Sequence, residues 1–305
     1  MYDLSKLGPR RFLCVAESGW GKTTLAGSHP GLKLFLDCSV QVRLTFAKSR
    51  FGKDIWFEEL ADKLPVQGST AVPEAWGRMQ EILGQISQGK APTLRMGGKS
   101  VVMPRLPDLV VIDDLSSWQD AVMLDKIHTS AKGGLFKPIH LEHYNYALVD
   151  MMRVLSTSKS WGCSLWLNAH EKLETDELKH FLKWVVVVIG PQTDAKLGGM
   201  FSEVWRGRYE MDPKTQERGR FLQLSGDEMG FAKTKLRGLP KFFRVYENAL
   251  TAPALPGVAE ELCGAPVVEV MLKLHDKEEA RVDEAQRRFE EAQVDEAQRG
   301  KGGEK

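Results

Sequence analysis

"AESGWGKTT" (residues 16–24) stands between the apolar hexapeptide "RFLCVA" (11–16) and a short helical stretch, "TTLAGSH", that stops at Pro30. A loop that grips a polyphosphate needs consecutive backbone N–H groups aimed into one concavity, an ammonium that reaches the outer phosphates, and a hydroxyl for a magnesium ion. Gly19 and Gly21 permit the first, Lys22 supplies the second and Thr23 the third, with Glu17, Ser18, Trp20 and Thr24 completing the loop. Ala16 stands where such patterns usually start with glycine, and adds only a methyl group where the strand leaves the sheet. The helix that follows turns its positive end toward the phosphates. The competing reading is a fortuitous strand-turn-helix, and the apolar strand before the loop and the helix after it weigh against that.

The 305 residues suffice for one large α/β domain with appendages or for two small domains. A net charge of +1 gives no global basic footprint, so composition does not support strong nucleic-acid binding by an isolated monomer. Cys14, Cys38, Cys163 and Cys263 are scattered with no C-x-x-C pair, which argues against a zinc site or a disulfide framework and fits a reducing cytoplasm. No window reaches the ~18 apolar residues of a spanning helix, so the chain reads as neither exported nor inserted in a membrane.

Short apolar runs alternate with amphipathic stretches up to about residue 190, the pattern of a mostly parallel sheet with helices on its faces. The candidate strands are "RFLCVA", "LKLFLD" (32–37), "DLVVID" (108–113), "CSLWLNAH" (163–170) and "WVVVVIG" (184–190). Helices are expected at "PEAWGRMQEILGQISQ" (73–88), opened by Pro73, and at 141–162, where Tyr144, Leu148, Met151, Met152 and Leu155 form one stripe. "TLRMGGKSVV" (93–102) reads as a hairpin about Gly97-Gly98. After 200, "EVWRGRYEM", "GRFLQLSG" and "GFAKTKLRGLP" read as antiparallel strands extending one edge of the sheet. The domain reading is a core over 1–248, a Pro/Ala/Gly-rich linker over 249–265, and a C-terminal helix with a charged tail over 266–305. In that tail "VDEAQR" recurs at 282 and 294. A twelve-residue shift rotates a helix by about a third of a turn, so the two copies build no common seam.

"LVVIDDL" (109–115) is an apolar run that ends in Asp113-Asp114, as a buried strand must be if it delivers a carboxylate beside a phosphate loop. Asp113 is the candidate magnesium ligand together with Thr23. Hydrolysis also needs a group that orients or deprotonates water. Asp114 is the first candidate, and Asp37 in "LFLDCSV" the second. Glu58 and Glu59 in "WFEEL" read as a solvated helix face. "LWLNAHEK" (165–172) places Asn168 and His170 at a strand end, where a sensor of the terminal phosphate sits.

With these elements in order, the chain resembles a RecA-like P-loop ATPase of the additional-strand type. Closer still, it is similar to phage-encoded AAA-type nucleotide-binding proteins related to the Sak-type single-strand annealing and recombination proteins. The resemblance covers roughly residues 9–246 and is carried by "KLFLDCS", "LVVIDDLSSW", "HYNYALVDMMRVLSTSKSWGCSLWLNAHEK" and "AKTKLRGLP" (232–240). Ser39 stands where the family has glutamate, and Lys235 where arginine is often seen. The resemblance implies a RecA-like fold with a mostly parallel sheet, an antiparallel edge extension and a C-terminal helix. It also implies ATP and Mg2+ as ligands, assembly into a homo-oligomer, and Lys233 and Lys235 reaching a neighbouring subunit's terminal phosphate from one face of a late strand. Their plain alternative is a charged edge strand that discourages aggregation.

The expected function is ATP hydrolysis in phage DNA recombination, annealing or replication in the cytoplasm of a bacterial host, on single-stranded DNA and with other phage recombination or replication proteins. The candidate DNA surface is "EKLETDELKHFLKW" (171–184), where Lys179, His180, Lys183 and Trp184 mix charge with an aromatic, although Trp184 reads equally as core. The rival reading is an ATP-dependent switch or assembly protein that binds a phage protein partner through the charged C-terminal helix, without nucleic acid. A small-molecule kinase lacks a recognisable acceptor pocket and an Arg-rich lid.

Overall fold

The computed structural model describes residues 8–46, 54–62, 72–130, 140–176, 181–187, 197–211, 218–227, 231–245 and 267–301. In chain order, β1 (Arg11–Ala16) leads through the glycine loop into α1 (Lys22–Gly27), followed by β2 (Lys33–Asp37), α2 (Val42–Phe46) and β3 (Ile55–Glu59). Next come α3 (Ala75–Ser87), the hairpin β4 (Thr93–Met96) and β5 (Lys99–Val102), β6 (Leu109–Asp113), α4 (Leu115–Thr129) and α5 (Leu141–Thr157). β7 (Ser164–Ala169), a second hairpin of β8 (Glu171–Asp176) and β9 (Phe181–Val186), then β10 (Glu203–Met211), β11 (Arg218–Gln223), β12 (Phe242–Val245) and α6 (Val267–Lys301) complete it.

One eight-stranded sheet carries the fold, in the order β12-β11-β10-β1-β7-β6-β2-β3. The six strands from β10 to β3 are parallel, and β11 and β12 continue the sheet antiparallel. The central strands are apolar on both faces because helices cover both. Leu13, Val15, Leu34, Leu36, Val110, Ile112, Leu165 and Leu167 pack with α3, α4 and α5. Phe12, Cys14, Phe35, Val111 and Trp166 face the other way, onto α1, α2 and the first turns of α6.

Helix registers follow from side-chain spacing. α3 buries Trp76, Met79, Ile82, Leu83 and Ile86, and the Asp62 carboxylate accepts the amides of Glu74 and Ala75 at its start, so the helix opens two residues after Pro73. α5 buries His143, Ala147, Met151 and Leu155, every fourth residue. That stripe lies one position round from the expected one, leaving Tyr144, Leu148 and Met152 half-buried. The 93–102 hairpin forms as read, with Gly97 and Gly98 both at positive φ.

Four expectations are corrected. Trp184–Val186 belong to β9, which pairs with β8 in a separate ribbon and not with the main sheet, because an apolar run encodes burial but not its strand partner. "WFEEL" is the edge strand β3, not a helix face, and Glu58 is buried, its charge met by Arg78. "EVWRGRYEM" is parallel to β1 and antiparallel only to β11. "AKTKLRGLP" is not a strand: it makes one bridge, Val204 with Lys233, and the edge is closed by β12. The linker lies outside the described residues. In α6, Val267, Val268, Val270, Met271 and Leu272 are buried in the core, whereas Asp283 to Arg288 are exposed.

Candidate functional site

Because β7 lies between β1 and β6, the carboxyl ends of three neighbouring strands open at one place. β1 delivers the loop, β6 delivers Asp113-Asp114, and β7 delivers Asn168 and, one residue beyond its end, His170. The loop turns through Gly19 (φ 77°) and Gly21 (φ 107°), a backbone that a side chain resists, and α1 starts at Lys22.

Two linked sets of contacts form. In the first, the Thr23 hydroxyl donates to Asp113 Oδ2 at 2.7 Å, and Asn168 Nδ2 donates to Asp113 Oδ1 at 3.0 Å. The Trp166 indole N–H donates to Asn168 Oδ1 at 2.8 Å, which settles how that amide is turned. In the second, the Lys22 ammonium is folded back onto the carbonyls of Ala16 (2.9 Å) and Glu17 (3.1 Å) and onto His170 Nδ1 at 3.2 Å. An ammonium has only hydrogens to give, so His170 Nδ1 accepts and the ring proton sits on Nε2. Nε2 then donates to Asp114 Oδ2 at 3.2 Å, while Asp114 Oδ1 accepts the Ser117 amide at 2.9 Å and caps α4.

The electrostatics divide the two adjacent carboxylates. Burial pushes Asp113 up, against the donors Thr23 and Asn168, and the charges of Asp114 and Asp37 push it the same way. Burial works against charge on Asp114 as well, but His170 and the Ser117 amide outweigh it and hold that carboxyl below the usual range. Burial lowers Lys22, and the surrounding acids only partly restore it. Beside them Glu171, raised by burial, is paired with the buried Arg206 of β10.

Asp37 is placed differently from Asp114. Its carboxylate accepts the amides of Val42 (2.9 Å) and Gln41 (3.2 Å) and the Ser39 hydroxyl (3.3 Å), which makes it the organiser of the turn into α2. Lys233 pairs through its backbone with Val204, whose β1 partner is Leu13, three residues before the loop, and its ammonium lies 5.6 Å from the centre of the Phe231 ring. Lys235 is exposed, and its amide donates to Glu203 at 3.1 Å. Lys179 and His180 lie outside the described residues. A cavity of about 620 Å3 opens beside the end of β3, among Glu58, Asp62, Arg78 and Arg95, and none of the loop residues line it.

Two features were not read from sequence. Trp20, between the two loop glycines, is fully buried against β10, and its indole N–H donates to the Arg208 carbonyl at 3.1 Å. Gly207, a lone glycine inside a strand, was the available signal, since such residues mark a close approach. The Glu171–Arg206 pair had no signal, as neither residue marks the other across 35 positions.

A glycine loop closing on α1, with a hydroxyl, two carboxylates and a strand-end His around it, on a mostly parallel α/β sheet, defines a P-loop nucleoside-triphosphatase. The family model described as AAA domain matches residues 8–236, and the chain belongs to that family of P-loop AAA-type ATPases. A search of curated proteins gives no match. Among the described residues no helix is long and apolar enough to cross a membrane.

Proposed function

We propose that this protein binds ATP with Mg2+ on residues 16–24 and hydrolyses it as a RecA-like ATPase, assembling as a homo-oligomer on single-stranded DNA in phage recombination, annealing or replication. The observation that carries the hydrolytic part is the convergence of Thr23 and Asn168 on Asp113 and of Lys22 and Asp114 on His170, all at one strand edge. The residues suit the ligands. Mg2+ is bound in such sites by one or two protein oxygens with substrate phosphates and water, and the Thr23 hydroxyl and Asp113 carboxylate are hard oxygens already side by side. The metal would neutralise charge that develops on the phosphates.

The chain's own groups then have distinct tasks. Loop amides and Lys22 hold the phosphates, the ammonium leaving the Ala16 and Glu17 carbonyls to do so. Asp114, ionised at neutral pH, orients the attacking water and accepts its proton, and His170 fixes that carboxylate from the side away from the α4 cap. Support for DNA comes from the likeness to Sak-type proteins and from β8, which leaves the site directly after His170.

The rival, a switch protein that binds a phage protein partner, is favoured by one observation. Asp283 to Arg288, Glu290 and Glu291 of α6 are exposed, with Glu284–Arg288 and Arg287–Glu291 pairs along them. ATP turnover with and without single-stranded DNA, in wild type, Lys22→Ala and Asp114→Ala, tests the proposal. DNA-stimulated turnover lost in both variants supports it. A monomer indifferent to DNA removes the DNA part, and full turnover in Asp114→Ala removes the assigned base.

A further inference from the structure

β10 does not stop where β1 does. Gly207 is the partner of Ala16, and the strand continues through Arg208, Tyr209, Glu210 and Met211 beside the phosphate loop, with β11 paired to it along that stretch. Two contacts hold this ribbon to the loop. The Trp20 indole packs on Gly207 and donates to the Arg208 carbonyl, and the Tyr209 hydroxyl donates to the Gly19 carbonyl at 3.4 Å.

The charges give the polyphosphate a direction. Thr23, Asp113, Asn168 and His170 gather on the β7 and β6 side of the loop, which is where a terminal phosphate with its metal belongs. The nucleoside end therefore leaves toward the other neighbour of β1, which is β10. There the half-buried Tyr209 ring carries the Arg218 guanidinium 4.5 Å from its centre, with that of Arg220 at 5.7 Å. Arg218 is an exposed residue, so the flat group it lays on the ring comes from the solvent side. A flat, weakly hydrated base can take or share that place, with guanidinium N–H groups beside it to meet the acceptor edge of a purine.

We propose that Tyr209, with Arg218 and Arg220 on the β10–β11 ribbon, forms the nucleobase subsite, in which a purine stacks on the Tyr209 ring. This rests on the nucleotide-binding reading above and deepens it. Trp20 keeps the subsite at a set distance from the loop.

The test is calorimetric binding of Mg-ATP and of Mg-tripolyphosphate, which has no base, to wild type, Lys22→Ala, Tyr209→Ala, Tyr209→Phe and Arg218→Ala. Tyr209→Ala is expected to bind ATP about tenfold more weakly with tripolyphosphate unchanged. Tyr209→Phe, which keeps the ring and loses the bond to Gly19, is expected to keep ATP affinity. Arg218→Ala, a change at an exposed residue, is expected to weaken ATP alone by a smaller factor, and it carries the test if Tyr209→Ala fails to fold. Equal losses for both ligands in Tyr209→Ala, or no loss of ATP in either Ala variant, would overturn the subsite. Wild type binding neither ligand sinks the nucleotide reading itself, and losing both in Lys22→Ala alone leaves that reading standing while the subsite is judged by the ratio.

Discussion

Lys22 Nζ lies 3.2 Å from Nδ1 of His170, so the ammonium that follows the glycine loop and the imidazole just past the end of β7 are hydrogen-bonded partners. The same ring donates from Nε2 to Asp114 Oδ2 at 3.2 Å. Lys22 and Asp114 are thereby coupled through one imidazole.

From that coupling, His170→Ala is expected to lower kcat by on the order of a hundredfold while ATP affinity changes by less than about threefold, because the lost group aligns Asp114 and does not itself grip the phosphates. Steady-state turnover together with calorimetric binding checks this. An equal loss in binding and turnover would assign His170 to phosphate contact instead.

Gly207→Ala places a Cβ into the Trp20 ring. Backbone cannot yield within a paired strand, so the indole must, and the loop moves with it. The expected cost is about 1–3 kcal/mol of stability by urea unfolding, with weaker binding of ATP and tripolyphosphate alike.

Glu58 and Arg78 form a bidentate buried pair, 2.5 and 2.9 Å, and Glu58 also accepts the Arg95 amide while Arg78 donates to the Thr93 carbonyl. The pair thus ties β3 and α3 to the β4–β5 hairpin. Arg78→Ala leaves a buried carboxylate uncompensated, at an expected cost of about 3–5 kcal/mol, whereas Glu58→Gln combined with Arg78→Met is expected to cost less than the single change. A double-mutant cycle in urea gives the comparison.

His29 is buried against Phe12, shares a hydrogen bond with the Pro30 carbonyl, and is pushed down to about 4 by burial from its ordinary 6.5. Between those pH values the unfolded chain binds a proton that the folded chain refuses. Stability therefore falls as pH drops from about 6.5 to about 4, by up to ~3 kcal/mol. His29→Gln is expected to flatten that part of the stability profile, measured by urea unfolding across the window.

The legible parts of this chain are the ones whose meaning is local. Residues 16–24 can be read because a phosphate loop is contiguous, and Asp113, Asn168 and His170 because apolar strands end in polar residues only where an edge opens. The helix α4 is not legible in sequence since "LSSWQDAVMLDKIHT" has almost no amphipathic contrast, and its start depends on the Asp114 cap. The burial of Glu58 is hidden because "WFEEL" shows neither a clean two-residue nor a clean helical period, and its partner Arg78 is 20 positions away. "AKTKL" alternates like a strand, but β11 takes the outer side of β10 from Arg206 onward and leaves it one bridge at Val204.

Read alone, the chain settles the glycine loop, four core strands of the parallel sheet, and the two carboxylates beside them, since each depends on neighbours within a few residues. Long-range packing settles the rest: the bond of Lys22 to His170, the seat of Trp20 on Gly207, the run of β10 past the loop, and the pairing of Trp184–Val186 with β8. Hydrophobic periodicity states which side of a segment avoids water, but strand order and register come from competition among all segments for the same partners.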